Sequence, residues 1–101
     1  MKIETGETVY ESIVSVDTNN NPISATTLTT HLFNDGVLYT GSSINVSLTD
    51  AENAIFTASW SAGTYGHYQL YAKNDVTNLI YMSDVYFVVP DDAEVTVYVG
   101  L

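Results

Sequence analysis

The feature that most constrains this sequence is the regular alternation of turn signals with short segments of strand-forming residues. Turn clusters such as residues 17–22 (DTNNNP) and 61–66 (SAGTYG) recur roughly every eight to twelve residues along the chain. The segments between them are rich in Val, Ile, Thr and Tyr, and none repeats apolar residues with the 3.6-residue period of a helix. This pattern predicts about eight short strands in an all-β sandwich or barrel.

Alternation within the segments predicts which side chains face the core, because successive strand residues point to opposite faces. Residues 44–48 (INVSL) and 54–60 (AIFTASW) show it most clearly. The predicted strands are residues 8–16, 28–33, 37–40, 44–48, 54–60, 67–73, 79–89 and 94–99. The predicted core consists of Val14, Val16, Leu28, Leu32, Val46, Leu48, Phe56, Trp60, Tyr68, Leu70, Val85 and Phe87.

Two local signals refine this prediction. Asp35 and Gly36 separate two apolar runs and predict a tight hairpin, since glycine takes a positive φ at no steric cost. Residues 79–89 are long for one strand, and Ser83 and Asp84 in their middle indicate a bulge or bend.

Charge and cysteine content restrict the class of function. Twelve acidic residues face only Lys2 and Lys73, which gives a net charge of −10 at pH 7. This charge repels nucleic acid and anionic membranes, so we expect neither as a partner, and it steers the protein towards a basic partner. The absence of cysteine excludes disulfides, cysteine nucleophiles and cysteine-ligated metals.

The chain length and the first residues predict the domain organisation and the site of synthesis. A chain of 101 residues predicts a single domain spanning 1–101, with residues 1–7 as an N-terminal arm that orders on a partner. Residues 1–6 lack the apolar core of a secretory signal, so we expect synthesis in the cytoplasm without a leader.

No motif for catalysis or metal binding is complete. Residues 17–21 begin like a calcium loop, but Pro22 and Leu28 occupy the positions that require Gly and Glu, so a turn is the better interpretation. His31 and His67 are too few for a zinc site, and the nine serines lie in no Gly-x-Ser-x-Gly elbow. We therefore expect no enzyme, no metal and no cofactor, and we interpret the acidic residues near 91–94 as a solvated loop.

Three short motifs follow one another in an order shared with a known group of proteins. They are Asp17 with Asn21-Pro22-Ile23, then Leu32-Phe33-Asn34-Asp35-Gly36, then Trp60 with Gly63, Tyr65, Gly66 and Tyr68. In this order and spacing the chain resembles bacterial and phage immunoglobulin-like modules over roughly residues 8 to 89. The resemblance implies an immunoglobulin-like antiparallel β-sandwich of about seven to eight strands, with no catalytic residues to transfer.

Partner binding is the function class that remains. Several tyrosines and apolar residues fall opposite the predicted core, and residues 91–101 form an alternating segment that could add a strand to a neighbour. The predicted partner-binding residues are Tyr10, Tyr71, Ile80, Met82, Tyr86, Val95, Val97, Tyr98 and Leu101.

The resemblance implies a non-enzymatic structural protein of a phage virion. Its most specific form is a capsid decoration or head accessory protein bound to the major capsid protein, with a homo-oligomer left open. Two alternatives remain: a tail or baseplate adaptor, and a carbohydrate-binding or adhesion module that stacks sugars on Trp60 and the outer tyrosines.

Overall fold

A computed structural model describes residues 1–88, which form two packed β-sheets and no helix. The strands are β1 (Lys2–Ile3), β2 (Thr8–Val14), β3 (Leu28–Asn34), β4 (Val37–Leu38), β5 (Asn45–Asp50), β6 (Ile55–Ser61), β7 (Gly66–Asn74), β8 (Ile80–Met82) and β9 (Tyr86–Val88). The large sheet has the order β1-β9-β7-β3-β4, and β8 also pairs with β7. The small sheet has the order β2-β6-β5. No helix in this part of the chain is long and apolar enough to cross a membrane.

The two packed sheets form an all-β sandwich, as the sequence predicts. The small sheet has the order of strands B, E and D, and the large sheet places β9, β7 and β3 as strands G, F and C. All pairs are antiparallel except β1 with β9, which is parallel. Tyr68, near the start of β7, donates its hydroxyl hydrogen to the Thr64 carbonyl oxygen at 3.0 Å. This contact has the same geometry as the tyrosine corner found in immunoglobulin-type sandwiches.

The core lies where β6 and β7 face each other. Trp60 and Tyr68 are fully buried and stack with ring centroids 5.3 Å apart. Tyr86 meets the Trp60 ring edge-on at 5.7 Å, which closes the aromatic centre of the sandwich. Leu32, Phe56 and Leu70 are also buried, as predicted.

The prediction of the inward face of β2 is wrong. Val14 is 58% exposed and Val16 is half-buried outside β2, whereas Val9 and Ile13 are buried. The sequence misleads because Glu11 lies between the two buried residues and makes the inward face look interrupted. A shift of one residue in the alternation exchanges the two faces of a strand.

The prediction for residues 85–87 is wrong for a related reason. Three residues, 83–85, lie opposite only two residues of β7, because Met82 pairs with Tyr71 and Tyr86 pairs with Tyr68. The extra residue is the bulge that the sequence indicates, and a bulge exchanges the faces beyond it. Val85 is therefore exposed and Phe87 lies outward, while Val88 is buried.

The remaining differences lie at sheet edges. Val46 and Leu48 pair with inward-facing residues of β6, as predicted, yet they stay exposed because β5 is an edge strand. Leu28 is half-buried at the margin of the core. Within the predicted N-terminal arm, Lys2–Ile3 form β1, which pairs with β9, and Ile3 is buried against the sandwich.

Candidate partner-binding face

The outer face of the large sheet is the candidate functional site. Its positions alternate with the buried residues of the same strands, so their side chains point away from the core. We call it the large-sheet face; its members are Lys2, Thr29, His31, Phe33, His67, Gln69, Tyr71, Lys73, Ile80, Met82 and Phe87.

Aromatic side chains form a chain of contacts across this face. The Tyr71 ring lies 5.6 Å from His31 and meets Phe33 edge-on at 6.4 Å. The His67 ring meets Phe87 edge-on at 5.0 Å. Cross-strand aromatic pairs hold each other's orientation, which gives the face a defined shape before any partner arrives.

Exposed aliphatic residues extend the aromatic surface. Ile80 on β8 is 59% exposed, Met82 is 45% exposed, and Val85 in the bulge is also exposed. A group of neighbouring exposed apolar side chains indicates an interaction surface, whereas single scattered ones do not.

The charge of this face differs from that of the whole molecule. Both lysines and both histidines of the chain lie on it, and none of its strand positions carries an acidic residue. Among residues 1–88, the acidic side chains next to this face lie at its border, at Asp35, Asp75 and Asp84. The Thr27 and Thr29 hydroxyls each donate to Asp75 at 2.6 Å and hold the pKa of that carboxyl below its usual range, with a smaller contribution from Lys73.

The structure gathers only some of the predicted partner-binding residues here. Tyr71, Ile80 and Met82 lie side by side on the large-sheet face. Tyr10 is 70% exposed but lies on the outer face of the small sheet, on the other side of the molecule. Val95, Val97, Tyr98 and Leu101 lie outside the described residues.

Tyr86 is not on an outer face, contrary to the prediction. It is half-buried between the sheets, and its hydroxyl donates to one carboxylate oxygen of Glu11. The Tyr81 hydroxyl donates to the other oxygen of Glu11 at 3.0 Å. Burial raises the pKa of both tyrosines, and the hydrogen bonds to Glu11 add to this. Glu11 thus joins the two sheets.

Sequence reasoning missed several members of the face. Phe33 follows the predicted core residue Leu32, so the alternation already indicated that it points outward. Phe87 was predicted to face the core, because the prediction kept the alternation unchanged across the bulge, whereas the bulge exchanges the two faces. His31 and His67 belong to the aromatic surface because each packs against a ring on a neighbouring strand, and no local sequence pattern specifies such a neighbour.

Trp60 is not available as a sugar platform. It is 2% exposed and lies between Tyr68 and Tyr86 in the core. Its indole N–H has no hydrogen-bond partner among the described residues. The carbohydrate alternative therefore loses the ring on which it mainly depended.

Comparisons of the chain with protein-family models, with curated proteins and with solved structures found no match. Within residues 1–88, no group of three or more His, Asp or Glu side chains is placed to hold a metal ion.

Proposed function

We propose that this protein acts by binding another protein through the large-sheet face, as a non-enzymatic structural component of a phage virion. The most specific form of the proposal is a capsid decoration or head accessory protein bound to the major capsid lattice. The phage role rests on the motif resemblance, and the large-sheet face supports the binding role.

One observation carries the proposal: the large-sheet face combines half-buried aromatic rings and exposed aliphatic side chains with an absence of acidic strand residues. The net charge of −10 favours a basic partner, and because the strand positions of this face carry no acidic residue, its apolar side chains can pack against a partner without burying an unpaired carboxylate. Its centre, around Tyr71 and Met82, offers the apolar anchors that dominate binding energy at protein interfaces.

A sedimentation experiment with matched variants tests the proposal. Purified protein is added in saturating amounts to particles of its own phage, and the amount that sediments with them is measured. Ile80→Asp places a charge on the large-sheet face, and Tyr10→Asp places the same charge at an exposed position on the outer face of the small sheet. We expect wild type and Tyr10→Asp to sediment with the particles and Ile80→Asp to remain in solution.

Two results would contradict the proposal. If wild type does not sediment at saturation, the virion role is wrong. If both variants bind as wild type does, binding does not use the large-sheet face. Sedimentation with isolated tails rather than heads would replace the decoration role with the tail or baseplate alternative.

A further inference from the structure

A depression at one end of the large-sheet face has walls suited to an aliphatic chain that ends in a cation. It has a volume of about 660 Å³ and is lined by Phe33, Asp35, Gly36, His67, Gln69, Met82 and Val85. Phe33, Met82 and Val85 supply apolar surface for methylene groups, and the ring of Phe33 can also face a positive charge.

The carboxylate at this site is held in place before any ligand binds. Asp35 occupies the hairpin turn with a φ of 53°, followed by Gly36 with a φ of 79°. Its backbone N–H donates to the His67 carbonyl oxygen at 2.8 Å, and its Oδ1 accepts the His67 backbone N–H at 3.1 Å. The hydrogen bonds of the described residues leave Oδ2 of Asp35 without a donor.

Gln69 adds a second acceptor. Its Nε2 donates to the Ser83 carbonyl oxygen at 2.8 Å, which fixes the orientation of the amide group. The amide oxygen of Gln69 is thus identified as the free end, since the nitrogen must be the atom that meets a carbonyl. The depression therefore offers two oxygen acceptors, one of them charged, next to an aromatic ring.

We propose that this depression binds the guanidinium group of an arginine side chain that a partner protein presents. The inference rests on the proposed partner-binding function and names the chemistry that the partner must supply. Arginine fits better than lysine because a planar guanidinium group can donate to two separate oxygens and stack on a ring at the same time. The net charge of −10 favours the approach of such a partner.

A titration followed by backbone amide NMR tests the inference on the full chain. The probe is N-acetyl-arginine methylamide, and its matched control is the citrulline compound, which has the same shape without the charge. We expect saturable shifts at Gly36, His67 and their neighbours with the arginine compound, weaker shifts with the lysine compound, and none with citrulline. Equal shifts with citrulline, or shifts centred elsewhere, would overturn the inference.

Variants separate the carboxylate from general charge effects. Asp35→Asn keeps the hairpin, because Asn-Gly suits the same turn, and should weaken arginine binding about tenfold. Glu52→Gln makes the same charge change at an exposed turn between β5 and β6 and should leave binding unchanged. Phe33→Leu provides a second test should Asp35→Asn misfold, and it should weaken binding through loss of the ring. Unchanged affinity in Asp35→Asn and Phe33→Leu would contradict the inference.

The same variants connect this site to the virion experiment. If wild type sediments with particles and Asp35→Asn does not, the Asp35 carboxylate contributes to particle binding, which together with the NMR titration supports the proposed arginine contact. If Asp35→Asn sediments as well as wild type does, this inference is wrong while the proposed function stands. If wild type itself does not sediment, the proposed function fails, and the NMR result alone decides whether the depression binds arginine.

Discussion

At the scale of single residues, the hydroxyl of Tyr68 shows how one polar atom can fix a corner of the sandwich. The ring is fully buried against Trp60 and Tyr39, while the hydroxyl lies beside Thr64. It donates to the Thr64 carbonyl oxygen and forms a second hydrogen bond with the Thr64 hydroxyl at 2.8 Å. The turn before β7 is therefore tied to the core by a side chain that cannot reach water.

We expect Tyr68→Phe to lower the free energy of unfolding by about 1–2 kcal/mol, because the two hydrogen bonds that join the buried Tyr68 side chain to Thr64 are lost. Tyr71→Phe is the matched control, since Tyr71 lies on the large-sheet face and should change stability by less than about 0.5 kcal/mol. Urea unfolding of the three proteins measures both effects. Equal losses in the two variants would show that the corner hydrogen bonds contribute nothing specific.

At the scale of elements, the contact of Glu11 with Tyr81 and Tyr86 links β2 of the small sheet to β8 and β9 of the large sheet. One carboxylate accepts from two hydroxyl groups, and it does so at a half-buried position on the inward face of β2. The link ties the two sheets together beside the stack of Trp60 and Tyr86.

We expect Glu11→Ala to lower the free energy of unfolding by about 2 kcal/mol, because two half-buried hydroxyl groups lose a charged acceptor. Glu11→Gln should restore part of this loss, since an amide oxygen still accepts a hydrogen bond. Glu4→Ala, at an exposed position, controls for the change in net charge. A loss no larger than that of Glu4→Ala would contradict a structural role for this link.

The elements also show where sequence reasoning succeeds and where it fails. The alternation in β6 placed Phe56 and Trp60 correctly because no charge or bulge interrupts it. In β2, the charged residue Glu11 lies on the inward face, which the sequence pattern does not predict. Its partial burial depends on hydroxyl groups that are 70 and 75 residues away. The sequence indicated a bulge after Met82. Its exact position decides which residues beyond it face the core, and that position is set by the pairing with β7.

The sequence predicted part of the large-sheet face, for the same reasons that it predicted part of the fold. Tyr71, Ile80 and Met82 were predicted correctly because each lies in a regular strand, on the face opposite the core-facing residues. Tyr10 was grouped with them because one sequence cannot tell which of two sheets a strand joins. The depression around Asp35 brings together β3, β7 and the bulge, so it has no local signature.

At the scale of the whole molecule, buried tyrosines make stability depend on pH in the alkaline range. Burial raises the pKa of Tyr68, Tyr81 and Tyr86 above the usual value near 10. Above that value the unfolded chain releases these protons while the folded chain retains them. Stability from these groups is therefore complete below about pH 10 and declines as the pH rises further.

We expect the phenolate absorbance of these tyrosines to appear only together with the loss of β structure in circular dichroism. Both signals are recorded in one alkaline titration. Ionisation of all eight tyrosines of the chain with an unchanged β spectrum would contradict the burial described above.

We propose that this chain works as a bound component of a larger protein assembly. The most direct measurement is to express it with a tag in the cells that naturally produce it, separate large assemblies on a density gradient, and identify its companions by mass spectrometry. We predict that it migrates with a major capsid protein at a fixed, high ratio. Migration alone at the top of the gradient would contradict the claim.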